Sequence, residues 1–140
     1  MLETGYEPVH TVTDYYDGPR KGIADFEGSP HFYEAESDYL PDESFRLSPV
    51  KPQLFALALE SWRIWRRWET ALHEGRATRE THPALPEDRV RYDELAEVLD
   101  RELRIDDKNF VRTYGDFKPR DDSEWSGLGW RPLQVKWRRR

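Results

Sequence analysis

Cysteine is absent from this 140-residue chain. Without it the chain can form no disulfide, no thiolate metal site and no cysteine nucleophile. Long apolar runs are also absent: none approaches the roughly 20 residues that a membrane-spanning helix needs, and the first residues lack the basic and apolar regions of a signal peptide. We therefore expect no membrane partner and a cytoplasmic location. The excess of arginine over lysine, 17 against 5, suggests a bacterial source.

The sequence motifs of common catalytic and metal sites are missing as well. The chain contains no Gly-x-Ser-x-Gly pattern for a serine nucleophile. It has no His-Glu-x-x-His pattern for zinc and no Gly-Lys-Ser/Thr ending for a phosphate loop. Its four histidines are scattered. We predict no metal, no cofactor and a protein without catalytic activity.

The composition indicates a folded chain with an ionic surface. Aromatic residues make up 14% of the chain, charged residues 36%, and the mean hydropathy is -0.97. Large rings must therefore supply much of the buried area. Acidic residues outnumber basic ones by eleven to three in residues 1–50. Together with the net charge of -6, this argues against a dedicated nucleic-acid binder, which normally has a basic domain.

The first half of the chain has the pattern of short strands separated by turns. Asp-Gly-Pro at residues 17–19 and Glu-Gly-Ser-Pro at residues 27–30 are turn signals. If the second turn is a hairpin, Gly22, Ala24 and Phe26 share a face with His31, Tyr33 and Ala35. That face is predicted to be buried. The predicted strands are residues 9–16, 22–26, 31–36 and 45–47, with a possible last one at 110–117.

A long helix is predicted from Leu54 to Leu72. Its apolar residues, with Trp62, Trp65 and Trp68 among them, cover an arc of roughly 200°, about twice what a surface helix needs to pack on a core. The helix must therefore be covered on two sides, by a sheet, a second helix or a partner. Gly75 is the predicted stop. A second helix is predicted from about Glu87 to Arg104.

These elements predict an α+β fold: an antiparallel sheet of four or five strands, beginning with a β-meander, packed on the Trp-rich helix and the second helix. A small SH3-like barrel within the first fifty residues is a variant of this prediction. We expect one domain over residues 1–140. It comprises an acidic β-rich half (1–48), a helical hairpin (49–104), a possible last strand (105–117) and a Trp/Arg-rich tail (118–140).

The turn between the first two predicted strands is the first candidate binding site. Asp14, Tyr16, Asp17 and Arg20 place acids, a phenol and a base around two glycines, a combination that can bind a polar ligand or a peptide. The alternative is that this segment is only a hairpin loop, with Tyr15 or Tyr16 in the core, and has no binding role.

Two further candidates lie on the long helix and in the tail. Trp62, Arg63 and Arg67 combine an indole with like charges four residues apart, which favours an anionic neighbour. That neighbour is most simply the acidic half of the same chain, and a partner's acidic patch or phosphate are the alternatives. In the tail, Trp130 and Trp137 alternate with cations. That pattern suits an added strand on a protein surface or the stacking of nucleic-acid bases.

The leading functional hypothesis is a small non-catalytic protein-interaction module: an accessory subunit, an adaptor or an inhibitor of the immunity-protein type. Aromatic residues and arginine are the residue types enriched at protein interfaces. Two alternatives stay open. One is a ligand-binding or metal-dependent enzyme that uses Asp14, Asp17, Asp25 and His31. The other is nucleic-acid binding through the basic C-terminal tail.

Overall fold

The computed structural model describes residues 2–37, 44–121 and 129–139. The chain divides into two compact units. The barrel unit comprises Met1–Lys51, Arg104–Ser123 and Pro132–Arg140, and the helical unit comprises Pro52–Leu103 and Glu124–Arg131. The described elements are β1 (Glu7–Tyr15), β2 (Pro19–Phe26), β3 (Ser29–Ala35), β4 (Ser44–Pro49), α1 (Pro52–His73), α2 (Arg89–Glu102), β5 (Val111–Pro119) and β6 (Leu133–Arg139), with short 3-10 helices at Arg79–Thr81 and Pro86–Asp88.

The six strands form a closed antiparallel barrel in chain order, and β6 pairs back to β1 through Glu7 opposite Val135. The predicted fold, a sheet of four or five strands packed on helices, is therefore wrong. The SH3-like variant confined to the first fifty residues is wrong for the same reason. Closure requires β5 and β6, which lie after the helices. The predicted tail contains β6, and closing the barrel removes most of the free strand edges that an open sheet would present.

The hairpin of β2 and β3 has the predicted face. Ala24 lies opposite His31, and Gly22 lies opposite Tyr33. The connection is a two-residue turn in which Glu27 (φ 53°) and Gly28 (φ 83°) both have positive φ, as a type I′ turn requires. The carboxylate of Glu7 accepts hydrogen bonds from both backbone N–H groups of the turn, at 3.1 and 2.7 Å. A side chain of β1 therefore fixes the turn of the next hairpin.

The barrel core is built around aromatic rings, as the composition indicates. Tyr33 packs edge-on to Phe45 at 5.9 Å between centroids and lies 6.1 Å from Trp137. The Tyr33 hydroxyl donates to the carbonyl of Thr11 at 3.0 Å, and the Trp137 indole N–H donates to the carbonyl of Asp25 at 2.8 Å. Burial raises the pKa of Tyr33 well above its ordinary value, because the apolar core disfavours a phenolate.

The helix α1 begins and ends where local chemistry dictates. Pro52 is its first residue, where the missing N–H costs no helical hydrogen bond. Gly75 has a φ of 76° and follows the last turn. The N–H of Arg76 bonds the carbonyl of Ala71 at 2.8 Å, and the N–H of Gly75 bonds the carbonyl of Leu72 at 3.1 Å. This pair of bonds is the Schellman arrangement, and it confirms Gly75 as the stop.

Within the helical unit, α2 covers one side of the broad apolar arc of α1. Ile64 of α1 packs with Leu95 of α2 and with Ala84 of the connector, and all three are buried. Two bidentate ion pairs join the same elements: Arg91 binds Glu60 at 2.6 and 2.7 Å, and Arg67 binds Asp88 at 3.1 and 2.9 Å. The predicted second helix is thus one of the two covers that the arc requires.

Candidate functional site

The tip of the β1–β2 hairpin holds the first candidate site. Tyr15 pairs with Pro19, which leaves Tyr16, Asp17 and Gly18 as the loop. Asp17 (φ 53°) and Gly18 (φ 130°) both have positive φ, a conformation that aspartate and glycine tolerate best. The N–H of Tyr16 also donates to the carbonyl of Gly18 at 3.0 Å. The turn is therefore tightly constrained.

Two phenol rings are exposed at this tip. Tyr16 is 68% exposed and Tyr15 is 56% exposed, so the alternative that placed one of them in the core is wrong. Monomeric proteins normally keep large rings more buried than this. Asp14 and Asp17 are exposed beside them. Tyr16 and Asp17 therefore lie on the loop, and Asp14 lies at the end of β1 that leads into it.

Arg20 belongs to the same hairpin, but its surroundings differ. Lys21 pairs with Asp14 and Pro19 pairs with Tyr15, so Arg20 is an extra residue of β2, a β-bulge with no partner on β1. Bulges of this kind redirect a side chain. Arg20 is only 6% exposed. Its Nη2 atom is buried and makes no hydrogen bond.

The acids and the histidine proposed for an enzyme do not converge. Asp14 and Asp17 lie at one end of the β1–β2 hairpin, whereas Asp25 and His31 lie near the β2–β3 turn at the other end of β2. Asp25 contacts His10, with Nε2 and Oδ1 2.8 Å apart. The Nδ1 atom of His31 contacts the carbonyl of Ser29 at 2.8 Å. Across the described ranges, no three histidine or acidic side chains are grouped closely enough to hold a metal ion.

The tryptophans of α1 have partners within the helical unit. Trp62 stacks on Trp65 at 5.1 Å between centroids and meets the edge of Trp130 at 6.4 Å. Trp68 is buried, and its indole N–H donates to the hydroxyl of Thr81 at 2.9 Å. The predicted site residues Trp62 and Trp130 therefore lie together, and the segment with Trp130 supplies a second cover for the apolar arc.

The arginine cluster of α1 finds its counter-ions inside the helical unit. Arg67 binds Asp88, and Arg66 binds both Glu69 (2.7 Å) and the carbonyl of Trp130 (2.9 Å). Arg67 therefore has the expected intramolecular partner, but that acid lies in the helical unit and not in the acidic N-terminal half. Arg63 is exposed on the same helix.

The two tryptophans of the predicted tail site lie in different units. Trp137 packs against the barrel core, whereas Trp130 belongs to the helical unit. Two cations of β6 form ion pairs with acidic side chains: Arg138 binds Asp116 at 2.7 Å, and Arg139 binds Glu27 at 3.1 Å. These charges are already neutralised within the barrel, which leaves less positive charge for an anionic partner.

Sequence reasoning missed two features of this region. It did not find the contact between His10 and Asp25, because the β1 bulge between Val9 and Thr11 shifts the register and a simple alternation cannot anticipate such a shift. It also did not predict that Arg20 is buried. The only signal for that burial was the crowding of turn residues just before it.

Comparisons of the chain with protein-family models, with curated proteins and with solved structures found no match. Within the described residues, no helix combines the length and the apolar character needed to cross a membrane.

Proposed function

We propose that this protein is a non-catalytic protein-interaction module that binds its partner through the tip of the β1–β2 hairpin. The observation that carries the proposal is the Tyr16 ring, which is 68% exposed on a turn constrained by two positive-φ residues and an internal hydrogen bond. A loop whose backbone is held in one conformation before binding loses little conformational entropy when a partner covers it.

Tyrosine suits this role for a physical reason. Its ring gives a large contact area with only two side-chain torsions to restrict, and its hydroxyl can both donate and accept a hydrogen bond. Tyrosine is therefore enriched among the residues that dominate binding energy. Asp14 and Asp17 are exposed on the same hairpin. The partner surface that fits is an apolar pocket with basic side chains at its rim.

The geometry gives less support to the enzyme alternative, because its four proposed residues lie at opposite ends of β2. Nor does the broad apolar arc of α1 support a partner as strongly as the sequence suggested. Both α2 and Trp130 cover parts of that arc within the helical unit. The case for an interaction module therefore depends on the hairpin tip.

A partner isolated from the source cells by cross-linking and then purified allows a direct test. Titration calorimetry should show that Tyr16→Ala weakens binding by about 30-fold, the effect of losing a hot-spot side chain of about 2 kcal/mol. The matched control is Tyr114→Ala, which removes another exposed tyrosine (37%) from β5. Equal affinities for the two variants would refute the proposed binding surface.

A further inference from the structure

Arg20 holds a permanent positive charge in a buried position. It is 94% buried, since only 6% of its surface is exposed, and its Nη2 atom has no hydrogen-bond partner. None of the ion pairs among the described residues includes Arg20, whereas the next residue, Lys21, has Glu34 as its partner. The guanidinium cannot relieve this situation by losing its proton, because an arginine stays charged in proteins.

The acids at the end of β3 and just after it, Glu34 and Glu36, already have cationic partners. Glu34 lies opposite Lys21 in the β2–β3 register, and the two side chains form an ion pair at 3.9 Å. Glu36 binds Arg112 at 3.1 Å and accepts a hydrogen bond from Ser44 at 2.7 Å. Lys21 is exposed, whereas Arg20 is buried, so the two side chains lie in different surroundings.

Burying a polar group without a partner is costly, and for a charged group the cost is larger. The bulge that excludes Arg20 from the ladder with β1 directs the side chain into this position. Bulges are often found beside binding sites for that reason. A guanidinium presents its N–H groups in a planar fork that matches the two oxygens of a carboxylate.

We propose that Arg20 is the anchor of an anion-binding site that takes one carboxylate group. A ligand with a single negative charge fits this site better than a polyanion such as nucleic acid. The N-terminal half carries eleven acids against three bases, and this excess of negative charge repels polyanions. The site does not depend on the interaction proposed for Tyr16. The carboxylate comes either from a small free acid or from the end of a polypeptide.

The site can be tested by nuclear magnetic resonance on the intact chain. Sodium acetate is titrated against sodium chloride at equal ionic strength, and the Arg20 Nε–Hε signal is followed. We expect a saturable shift with acetate that chloride does not produce. Tyr16→Ala should retain this response, which separates the site from the interaction surface.

Two variants of Arg20 complete the test. Arg20→Met removes the charge but keeps the length of the side chain, so the acetate-induced shifts of neighbouring amides should vanish. Its melting temperature in chloride should equal or exceed that of the wild type, because an uncompensated buried charge has been removed. Arg20→Lys keeps the charge without the planar fork, and the affinity for acetate should fall about tenfold.

A pair of short peptides identifies the source of the carboxylate. One peptide has a free C-terminal carboxylate and the other is amidated. Tighter binding of the free-acid peptide than of acetate assigns a polypeptide end, and equal binding assigns a small free acid. The proposal is overturned if no carboxylate gives a saturable shift. It is also overturned if the shifts persist in Arg20→Met or if Arg20→Met is strongly destabilised in chloride.

Discussion

Gly22 occupies a position of the barrel that has no room for a side chain. A Cβ atom there would lie 2.1 Å from the carbonyl oxygen of Thr11 and 2.6 Å from the hydroxyl of Tyr33. Both neighbours are fixed, the first as backbone and the second by the hydrogen bond that it donates to the same carbonyl. The close approach of β1 and β3 to β2 therefore requires glycine at this residue.

We expect Gly22→Ala to lower the free energy of unfolding by about 3 kcal/mol, because the added methyl forces the backbone of β1 outward. Gly28→Ala is the control. No atom lies within 4 Å of its added Cβ, so only the positive φ matters, at a cost of about 1 kcal/mol. Urea denaturation of both variants measures the difference. A loss for Gly22→Ala no greater than for Gly28→Ala would contradict the steric argument.

At the level of residues, sequence reasoning succeeded where a pattern was regular. The alternation of Gly22, Ala24 and Phe26 was enough to predict the inner face of the hairpin, because side chains on a strand alternate with a period of two. It failed at Arg20, where a bulge interrupts that period. Burial of an arginine also contradicts the usual preference of charged side chains for solvent. The most unusual residue of the candidate site was thus the least predictable.

At the level of elements, closure of the barrel depends on β6. It pairs with β5 from Leu133 to Arg139 and with β1 at Glu7 and Pro8. It also contributes Val135 to the core and Trp137 to the packing around it. Its alternation of Leu133, Val135 and Trp137 was visible in the sequence. The identity of its neighbours was not, since periodicity marks a strand without naming the strand beside it.

Ending the chain after Arg131 should therefore abolish cooperative unfolding of the barrel, because both β1 and β5 lose a neighbour and the core loses Val135. The measurement is the dispersion of amide signals from β1 to β5 in a nitrogen–proton correlation spectrum. A control that removes only residues 139 and 140 should change stability little, since the ion pair of Arg139 with Glu27 is exposed and such pairs are worth at most about 1 kcal/mol. Retained dispersion after removal of residues 132–140 would contradict the role assigned to β6.

The helices were easier to predict than the strands. The predicted start at Leu54 lies two residues after the observed start at Pro52, and the stop at Gly75 follows from a glycine preference that acts locally. The partners of Arg66 and Arg67 were not predictable in the same way. They come from Glu69, Trp130 and Asp88, and packing rather than chain position brings the last two close.

At the level of the whole molecule, stability should depend on pH through Tyr33. Its pKa is raised in the folded protein, whereas in the unfolded chain it is about 10. Above about pH 10 the unfolded chain therefore releases this proton while the folded protein keeps it. The unfolded state then binds fewer protons, so the stability that Tyr33 contributes is fully present below about pH 10 and is lost as the pH rises further.

Tyr33→Phe should cost about 1 kcal/mol at neutral pH, because the hydrogen bond to Thr11 is lost, and should flatten the decline of stability at alkaline pH. Urea midpoints measured between about pH 8 and about pH 11 test this. The pKa of Tyr92 is also raised, mainly by burial, so some decline remains in the variant. If the urea midpoint falls equally steeply with pH in the wild type and in the variant, Tyr33 does not control the loss of stability at alkaline pH.

The pairing of Glu7 with Val135 has a consequence for synthesis. The first and last strands of the barrel meet, so the ribosome must deliver the chain through β6 before the barrel can close. Until then the outer edge of β1 is available to strands of other molecules, a common route to aggregation. The two helices make contacts that are local in the chain, and short loops close at a lower entropic cost than long ones. The helices can therefore associate while the edge of β1 is still unpaired.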